Sequence, residues 1–250
     1  MFACLLCHGI AQAQEDKRDL LAVTGQVTAL ASASVGGGGG IEWLHRLSAE
    51  SGFTLGAFAF SLADSEWAYG KVGGFVTFWE RTTVSAQVSL GGGHRPNEDF
   101  AYQIYEVEAT QALIDKRLYV AAGNQYSEIA AARENVVKAG LILYPVALLR
   151  TRLDYHVSTG GNVDSRFLSG RVDLSTKPVA FLAGFLVGQT TPERFDVITT
   201  TSRTLRSEEY YAGVSIPVGP HEVSVIFDVV RQERPGVDKF TTLLAWKIPF

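Results

Sequence analysis

Phe240-Thr241-Thr242-Leu243-Leu244-Ala245-Trp246-Lys247-Ile248-Pro249-Phe250 decides the fold. Counted by twos, Phe250, Ile248, Trp246, Leu244, Thr242 and Phe240 form one mostly apolar set. The interleaved Pro249, Lys247, Ala245, Leu243, Thr241 and Lys239 form a mixed set. A period of two belongs to a β-strand, whose side chains alternate between two faces. This strand has one greasy face and one face that tolerates lysine.

Working outward, the same alternation recurs in segments of about ten residues separated by turn signals, the pattern of a membrane-spanning barrel. Fourteen such segments are legible: 23–34, 41–49, 53–62, 67–78, 82–91, 100–111, 117–126, 135–144, 147–158, 165–174, 179–188, 208–217, 221–231 and 238–250. Numbered from the carboxyl end, the connections alternate between two sides. One side holds 36–40, 63–66, 92–99, 127–134, 158–164, 190–207 and 232–237. The other holds only short turns, at 50–52, 80–81, 112–116, 145–146, 175–178 and 218–220. Long loops on one side and tight turns on the other are expected of a barrel inserted from the inner side, so 190–207 is expected outside the cell. The fold class read from this is all-β: a single closed, antiparallel, up-and-down transmembrane barrel over residues 20–250, of fourteen strands with twelve as the alternative. Closure is required because unpaired strand edges cannot face lipid.

Charge and composition agree. The net charge is −4 with no basic run, which argues against nucleic acid as a partner. No apolar run approaches the roughly 18 residues that a spanning helix needs. Phe2 to Ile10 is a short apolar segment followed by Ala11-Gln12-Ala13, which fits the small-x-small rule for a cleaved export signal over residues 1–13. Both cysteines, Cys4 and Cys7, lie inside it, so the mature chain is expected to hold neither disulfides nor Cys-based metal sites. Aromatic residues fall near both ends of the segments, where amphipathic rings favour the headgroup zone. Trp43, Trp67, Tyr69, Tyr105, Tyr126, Tyr155 and Tyr210 sit towards the outer end; Phe78, Trp79, Tyr144, Trp246 and Phe250 towards the inner end.

The clearest inward face is in the ninth segment. Arg150, Arg152, Asp154, His156 and Ser158 alternate with Leu149, Thr151, Leu153, Tyr155 and Val157. Arginine or lysine at the bilayer midplane would cost about 2–4 kcal/mol each, so this face must look into the lumen. The tenth segment adds Ser169, Arg171 and Asp173, the sixth Glu106, Glu108 and Thr110, and the eighth Lys138. Lys71, Gln87, Arg117, Glu222, Asp228, Lys239 and Lys247 fall on the same phase, as do the apolar Leu182, Leu186, Ile226 and Leu243. Two uses compete for these charges. A basic wall of Arg150, Arg152 and Arg171 facing Glu106 and Glu108 would filter solutes in a diffusion pore. Alternatively, the charges pair and fill a narrow lumen. The apolar inward residues suggest an interior that is partly packed.

Catalytic signals are poor. His45, His94, His156 and His221 are scattered without metal-ligand spacing, and neither metal nor cofactor is expected. Gly36–Gly40 lacks the Lys-Ser/Thr of a phosphate loop and reads as a flexible outer loop. His156-Val157-Ser158, with Asn162 following, resembles the His-x-Ser element of outer-membrane phospholipase A. That resemblance implies a Ser nucleophile, a His base and an Asn orienter. It covers those residues alone, and their phase points into the lumen, whereas such a site must meet lipid.

The closing strand resembles the terminal strand of bacterial outer-membrane β-barrels. The resemblance implies that Phe250, with Ile248 and Trp246, forms a sorting signal read by the barrel-assembly machinery, and that the chain resides among the lipids of a Gram-negative outer membrane. In size the chain is similar to YaiO-like barrels and to small monomeric porins. The former implies a closed structural or polysaccharide-export-associated barrel without an open pore. The latter implies a passive channel for small polar or charged solutes. A lipid-modifying hydrolase is the remaining class, and the expectation is that the chain is not an enzyme.

The terminal strand supplies a direct check. Deleting Phe250, or replacing Phe250 and Trp246 by serine, is expected to deplete the protein from outer-membrane fractions while export proceeds. Recovery of the variant there with normal heat-modifiable mobility would contradict the sorting role.

Overall fold

The structure, a computed structural model, describes residues 19–31, 34–79, 81–96, 98–176, 178–191, 204–233 and 238–250. The expected export signal and much of the 190–207 connection lie outside the described residues. Fourteen strands form one closed antiparallel sheet. They are β1 (Asp19–Leu30), β2 (Val35–Arg46), β3 (Ser51–Leu62), β4 (Ser65–Phe78), β5 (Thr82–Arg95), β6 (Glu98–Ile114) and β7 (Leu118–Ile129). The second half holds β8 (Ala132–Val146), β9 (Leu149–Gly161), β10 (Arg166–Ser175), β11 (Ala180–Thr190), β12 (Leu205–Val218), β13 (His221–Gln232) and β14 (Lys239–Pro249). Each pairs with its neighbours in sequence, and β1 pairs with β14 from Leu20↔Pro249 to Leu30↔Lys239. The Phe250 amide donates to the Asp19 carbonyl and finishes the seam.

The period-two reading transfers directly to the barrel wall. On β14, Lys239, Thr241, Leu243 and Ala245 are buried and Phe240, Thr242, Leu244 and Trp246 are exposed. Exposed large apolar side chains occur on every strand except β7, among them Val27, Ile41, Val72, Val107, Leu141, Leu153, Phe181 and Phe227. An exterior of this kind is unfavourable in water and is the one a bilayer requires.

Strands run further than the sequence suggested at the end opposite the termini. β5 and β6 stay paired to Arg95↔Glu98, and β7 and β8 to Ile129↔Ala132, so the expected loops 92–99 and 127–134 are mostly strand. The β7–β8 and β3–β4 turns are each two residues long, with Ala130 at φ 54° and Ala63 at φ 53°. Two-residue hairpins need positive φ, and the usual Asn-Gly signal is missing at both. The strand ends that flank residues 191–204 and 233–238 are at that end as well.

The glycine run is the main correction. Gly36–Gly40 is not a loop but the first half of β2, paired on one side with Gly40↔Thr24 to Gly36↔Thr28 and on the other with Gly40↔Phe58 to Gly37↔Ser61. The physical reason is space. A Cβ on Gly38 would lie 2.3 Å from the Phe60 ring, and one on Gly40 would lie 2.3 Å from the Phe58 ring. The rings lie over bare backbone, an arrangement in which a neighbouring aromatic covers a strand glycine.

The aromatic assignments also divide. Tyr105, Tyr155 and Tyr210 face outward, and Phe78, Trp79, Trp246 and Phe250 are exposed at the end bearing the termini. Trp43 is at that same end, not the opposite one, because β2 runs back towards it; its Nε1 donates to Asp19 Oδ1 at 2.8 Å. Trp67 and Tyr69 point into the barrel, with Trp67 buried among Leu62 and Phe100. Tyr144 also faces the lumen. Arg117, expected inward, is exposed in the β6–β7 turn.

Gly91 lies between the inward Tyr69 and Tyr102 in register, and their rings stack 4.5 Å apart above it. A Cβ there would come within 2.7 Å of Tyr69. Gly91→Ala is therefore expected to destabilise the refolded barrel by about 1–3 kcal/mol in urea unfolding followed by tryptophan fluorescence. Gly25→Ala, which meets nothing within 4 Å, should change stability by no more than about 0.5 kcal/mol.

Candidate functional site

The interior is layered along the barrel axis. At the end opposite the termini, Leu30, Leu62, Trp67, Phe100, Tyr102, Ile129, Phe167, Leu186 and Val230 form one buried apolar cluster, with Phe60, Tyr69 and Ile104 packed against it. These residues come from β1, β3, β4, β6, β7, β10, β11 and β13, so the layer reaches around the wall. Rings dominate its β3–β6 sector: Phe60 and Trp67 stack at 5.7 Å, and Phe58 and Tyr69 at 5.1 Å. A smaller apolar group of Tyr211, Ile226, Leu243 and Ala245, with Leu182 against it, covers the β11–β14 sector. The apolar inward phase of Leu182, Leu186, Ile226 and Leu243 thus has a packed counterpart.

Next comes a belt of charge. Lys138 Nζ lies 2.5 Å from Glu106 Oε1 and 2.7 Å from Glu108 Oε2. Arg152 grips Glu108 with both terminal nitrogens, at 3.0 and 2.7 Å, and Asp154 with Nε at 2.6 Å. Arg171 holds Asp173 at 2.6 Å, and Arg150 reaches the other oxygen of Asp173 at 3.4 Å. On the other side of the barrel Lys71 meets Glu42, and Lys247 meets Glu222 at 2.5 Å. All nine expected lumen charges, Arg150, Arg152, Asp154, His156, Arg171, Asp173, Glu106, Glu108 and Lys138, lie on the inner face of β6, β8, β9 and β10.

Their arrangement differs from the expected one. A basic wall does not face an acidic wall: Arg152 and Glu108 are partners on the same wall. The reason lies in the strands between them. Gly123 of β7 stands in register between Glu108 and Lys138. Ala121 of β7 and Gly140 of β8 are paired to each other beside Asp154. A Cβ on Gly140 would fall 2.0 Å from Asp154 Oδ1, and one on Gly123 would fall 2.6 Å from Lys138 Cε. These small residues leave a shallow floor on which long ionic side chains lie flat and meet across intervening strands. Short, bidentate, charge-assisted bonds then replace the water these groups lose.

His156 does not form the hydrolase arrangement. Its ring stacks on Phe167 at 4.2 Å and its Nε2 is 3.1 Å from Ser169 Oγ. Ser158 instead donates to the Val163 carbonyl, and Asn162 caps the β7–β8 turn through Arg133 N and the Ala131 carbonyl. Nucleophile, base and orienter are thus each engaged elsewhere.

Beyond the belt, the end bearing the termini opens into a cavity of about 400 Å³. Its lining combines Glu42, Arg46, Arg150 and Arg152 with hydroxyls from Thr77, Thr83, Ser85 and Thr110, the paired rings of Tyr119 and Tyr144, and apolar Leu44, Phe75 and Ile142. Sequence periodicity found the belt; the cavity and the role of Tyr119 and Tyr144 went unread, because single aromatics near strand ends look interfacial.

No protein-family model matches the chain, and no curated protein does. Solved structures do. The CymD monoaromatic hydrocarbon channel superposes with a TM-score of 0.66 at 10% identity, covering 96% of this chain and 90% of that one. The Pseudomonas putida toluene transporter TodX gives 0.63 at 9% identity over 95% and 89%. The Acinetobacter baumannii outer membrane protein Omp33 gives 0.55 at 12% identity over 94% and 100%. The fold is the closed β-barrel of these outer-membrane proteins. With its apolar exterior and closed sheet, the chain is built as a transmembrane β-barrel.

The belt can be tested by a double-mutant cycle on Glu108→Gln and Arg152→Met in the refolded barrel. Each single change is expected to cost about 2–3 kcal/mol, less than breaking a lone buried pair because Lys138 and Asp154 remain, and the double change should cost less than the sum. Strict additivity in urea unfolding would show that the two side chains do not act together.

Proposed function

We propose that the barrel is a passive outer-membrane channel for small polar or charged solutes, closed at rest by its apolar layer. The observation that carries this reading is the graded interior. A polar cavity open at one end leads to a belt of ion pairs, and then to a layer held only by side-chain packing. Such a layer excludes water and ions without any covalent or main-chain obstruction, which is how hydrophobic constrictions gate pores. The belt beneath it carries both signs, so a charged solute passing it can exchange one partner for another.

The aromatic content of the layer favours a second reading. Stacked Phe, Tyr and Trp rings form a surface on which a small aromatic solute gains contact area and ring stacking. The neighbours described as a monoaromatic hydrocarbon channel and a toluene transporter give this reading its solute class. Here the layer would be the path, and the belt a barrier to ions.

Planar-bilayer conductance separates these. Low conductance is expected of the unaltered barrel, with a several-fold rise when Trp67 and Tyr102 are both replaced by alanine and ions gain a route through the layer. A double variant that folds yet conducts no better than the parent overturns the gating role and favours a closed structural barrel. Uptake of toluene into liposomes that falls in the same variant would select the aromatic-solute reading.

A further inference from the structure

Among the belt cations Lys138, Arg150, Arg152 and Arg171, Arg150 is compensated least. Lys138 has two carboxylates within 2.7 Å, and Arg152 has two carboxylates bound through four short contacts. Arg171 holds Asp173 with Nε at 2.7 Å and Nη2 at 2.6 Å. Arg150 has only Nη1 on the far oxygen of that same Asp173, at 3.4 Å. Its Nε is enclosed and has no acceptor. Its side chain is 12% exposed, so water does little to make up the deficit. A guanidinium carries five N–H donors in a rigid fork, and leaving one of them unmatched in a desolvated site is costly.

The surroundings say what would match them. Arg150 lines the cavity of about 400 Å³ at the end bearing the termini. Tyr119 and Tyr144, which line it too, have rings in edge contact at 5.6 Å, and Ile142, in register with Tyr119 and two residues before Tyr144 on β8, adds an apolar patch. A planar fork beside aromatic and aliphatic walls matches a flat carboxylate on a small apolar body. Carboxylate and phosphate can both meet such a fork with two parallel bonds, so the choice between them falls to the tyrosine and isoleucine walls, which favour a singly charged group on an apolar body over a more strongly hydrated phosphate. We propose that Arg150, with Tyr119, Tyr144 and Ile142, forms a docking site for small carboxylates of aromatic or aliphatic acids in this cavity. The proposal deepens the channel reading by naming a solute class, but binding at the site does not depend on the apolar layer opening.

The test is a titration of the refolded barrel in detergent micelles, read by saturation-transfer NMR of the ligand. Benzoate is compared with benzamide, its neutral near-isostere, which controls for partition into detergent. Saturable benzoate binding is expected, with benzamide weaker by about tenfold or more and Arg150→Gln lowering benzoate affinity to a similar degree. Heat-modifiable mobility verifies that R150Q folds. If it does not, Arg150→Lys keeps the charge but loses the fork, and must still weaken benzoate. Equal benzoate binding in the folded variant, or equal binding of benzoate and benzamide, overturns the proposal. Displacement of benzoate by inorganic phosphate at equal concentration overturns the assignment to carboxylates. Because binding is read without transport, a barrel that binds benzoate yet never conducts would sink the channel reading alone. A barrel that conducts yet binds no benzoate would sink this one alone.

Discussion

Closure of the hydrogen-bonded ring is the constraint on which the rest depends. A bilayer core offers no water to an unpaired amide or carbonyl, so β1 must find β14 and does so along its length. Once the ring is closed, every strand has one face to lipid and one to the lumen, and no side chain can choose otherwise without shifting its whole strand by one residue. That is why Arg150, Arg152 and Asp154 of β9 sit inside while Leu153 and Tyr155 sit outside. The pairing does not explain what the inward residues then do with one another.

That second question is answered by inward glycines. Neighbouring strands are too close for two long inward side chains on either side of a third unless the third gives way. Glycine supplies the gap repeatedly: Gly56 between Glu42 and Lys71, Gly91 between Tyr69 and Tyr102, and Gly123 between Glu108 and Lys138. Gly213 does the same between Leu182 and Ile226. In each case the flanking residues belong together chemically, as opposite charges, stacked rings or aliphatic groups. Strand glycine is usually a loss of packing and of conformational restriction. Here that loss is offset by contacts between next-nearest strands, which tie the wall together beyond its main-chain ladder.

Much of this was legible in the sequence, and the limit falls at an identifiable place. The period of two located all fourteen strands, since lipid outside and charge inside make the alternation strong in segments such as 149–158 and 239–250. Element ends were less legible. Ala63 and Ala130 take up turn conformations that asparagine or glycine would have advertised, and Gly36–Gly40 and Gly92–Gly93 look like loop in one dimension because nothing in either run shows the strands that pair with it. Partnership among the inward residues was not legible. Arg152 and Glu108 are forty-four positions apart, and their contact requires the barrel order together with the small residues Ala121, Gly123 and Gly140 between them. The expected opposition of basic and acidic walls assumed that like charges gather on one side. Self-energy argues otherwise, because a desolvated arginine gains more from the nearest carboxylate than from a field across the lumen.

The same reasoning bears on what makes a barrel of this size a channel rather than a filled cylinder. Packed rings and packed ion pairs both occupy the lumen, but they resist a passing solute differently. Moving an ion pair aside leaves two desolvated charges, so the belt yields only to a solute that supplies replacement partners. Moving Tyr102 or Trp67 aside exposes apolar surface to whatever enters, which costs little when the entrant is itself apolar and more when it is water. In the channel proposed above, two filters in series, one reading charge and the other reading polarity, favour a solute with both an ionic group and an apolar body. Arg150, a belt residue that also lines the cavity and has its Nε unmatched, is where the first of those two exchanges is proposed to take place.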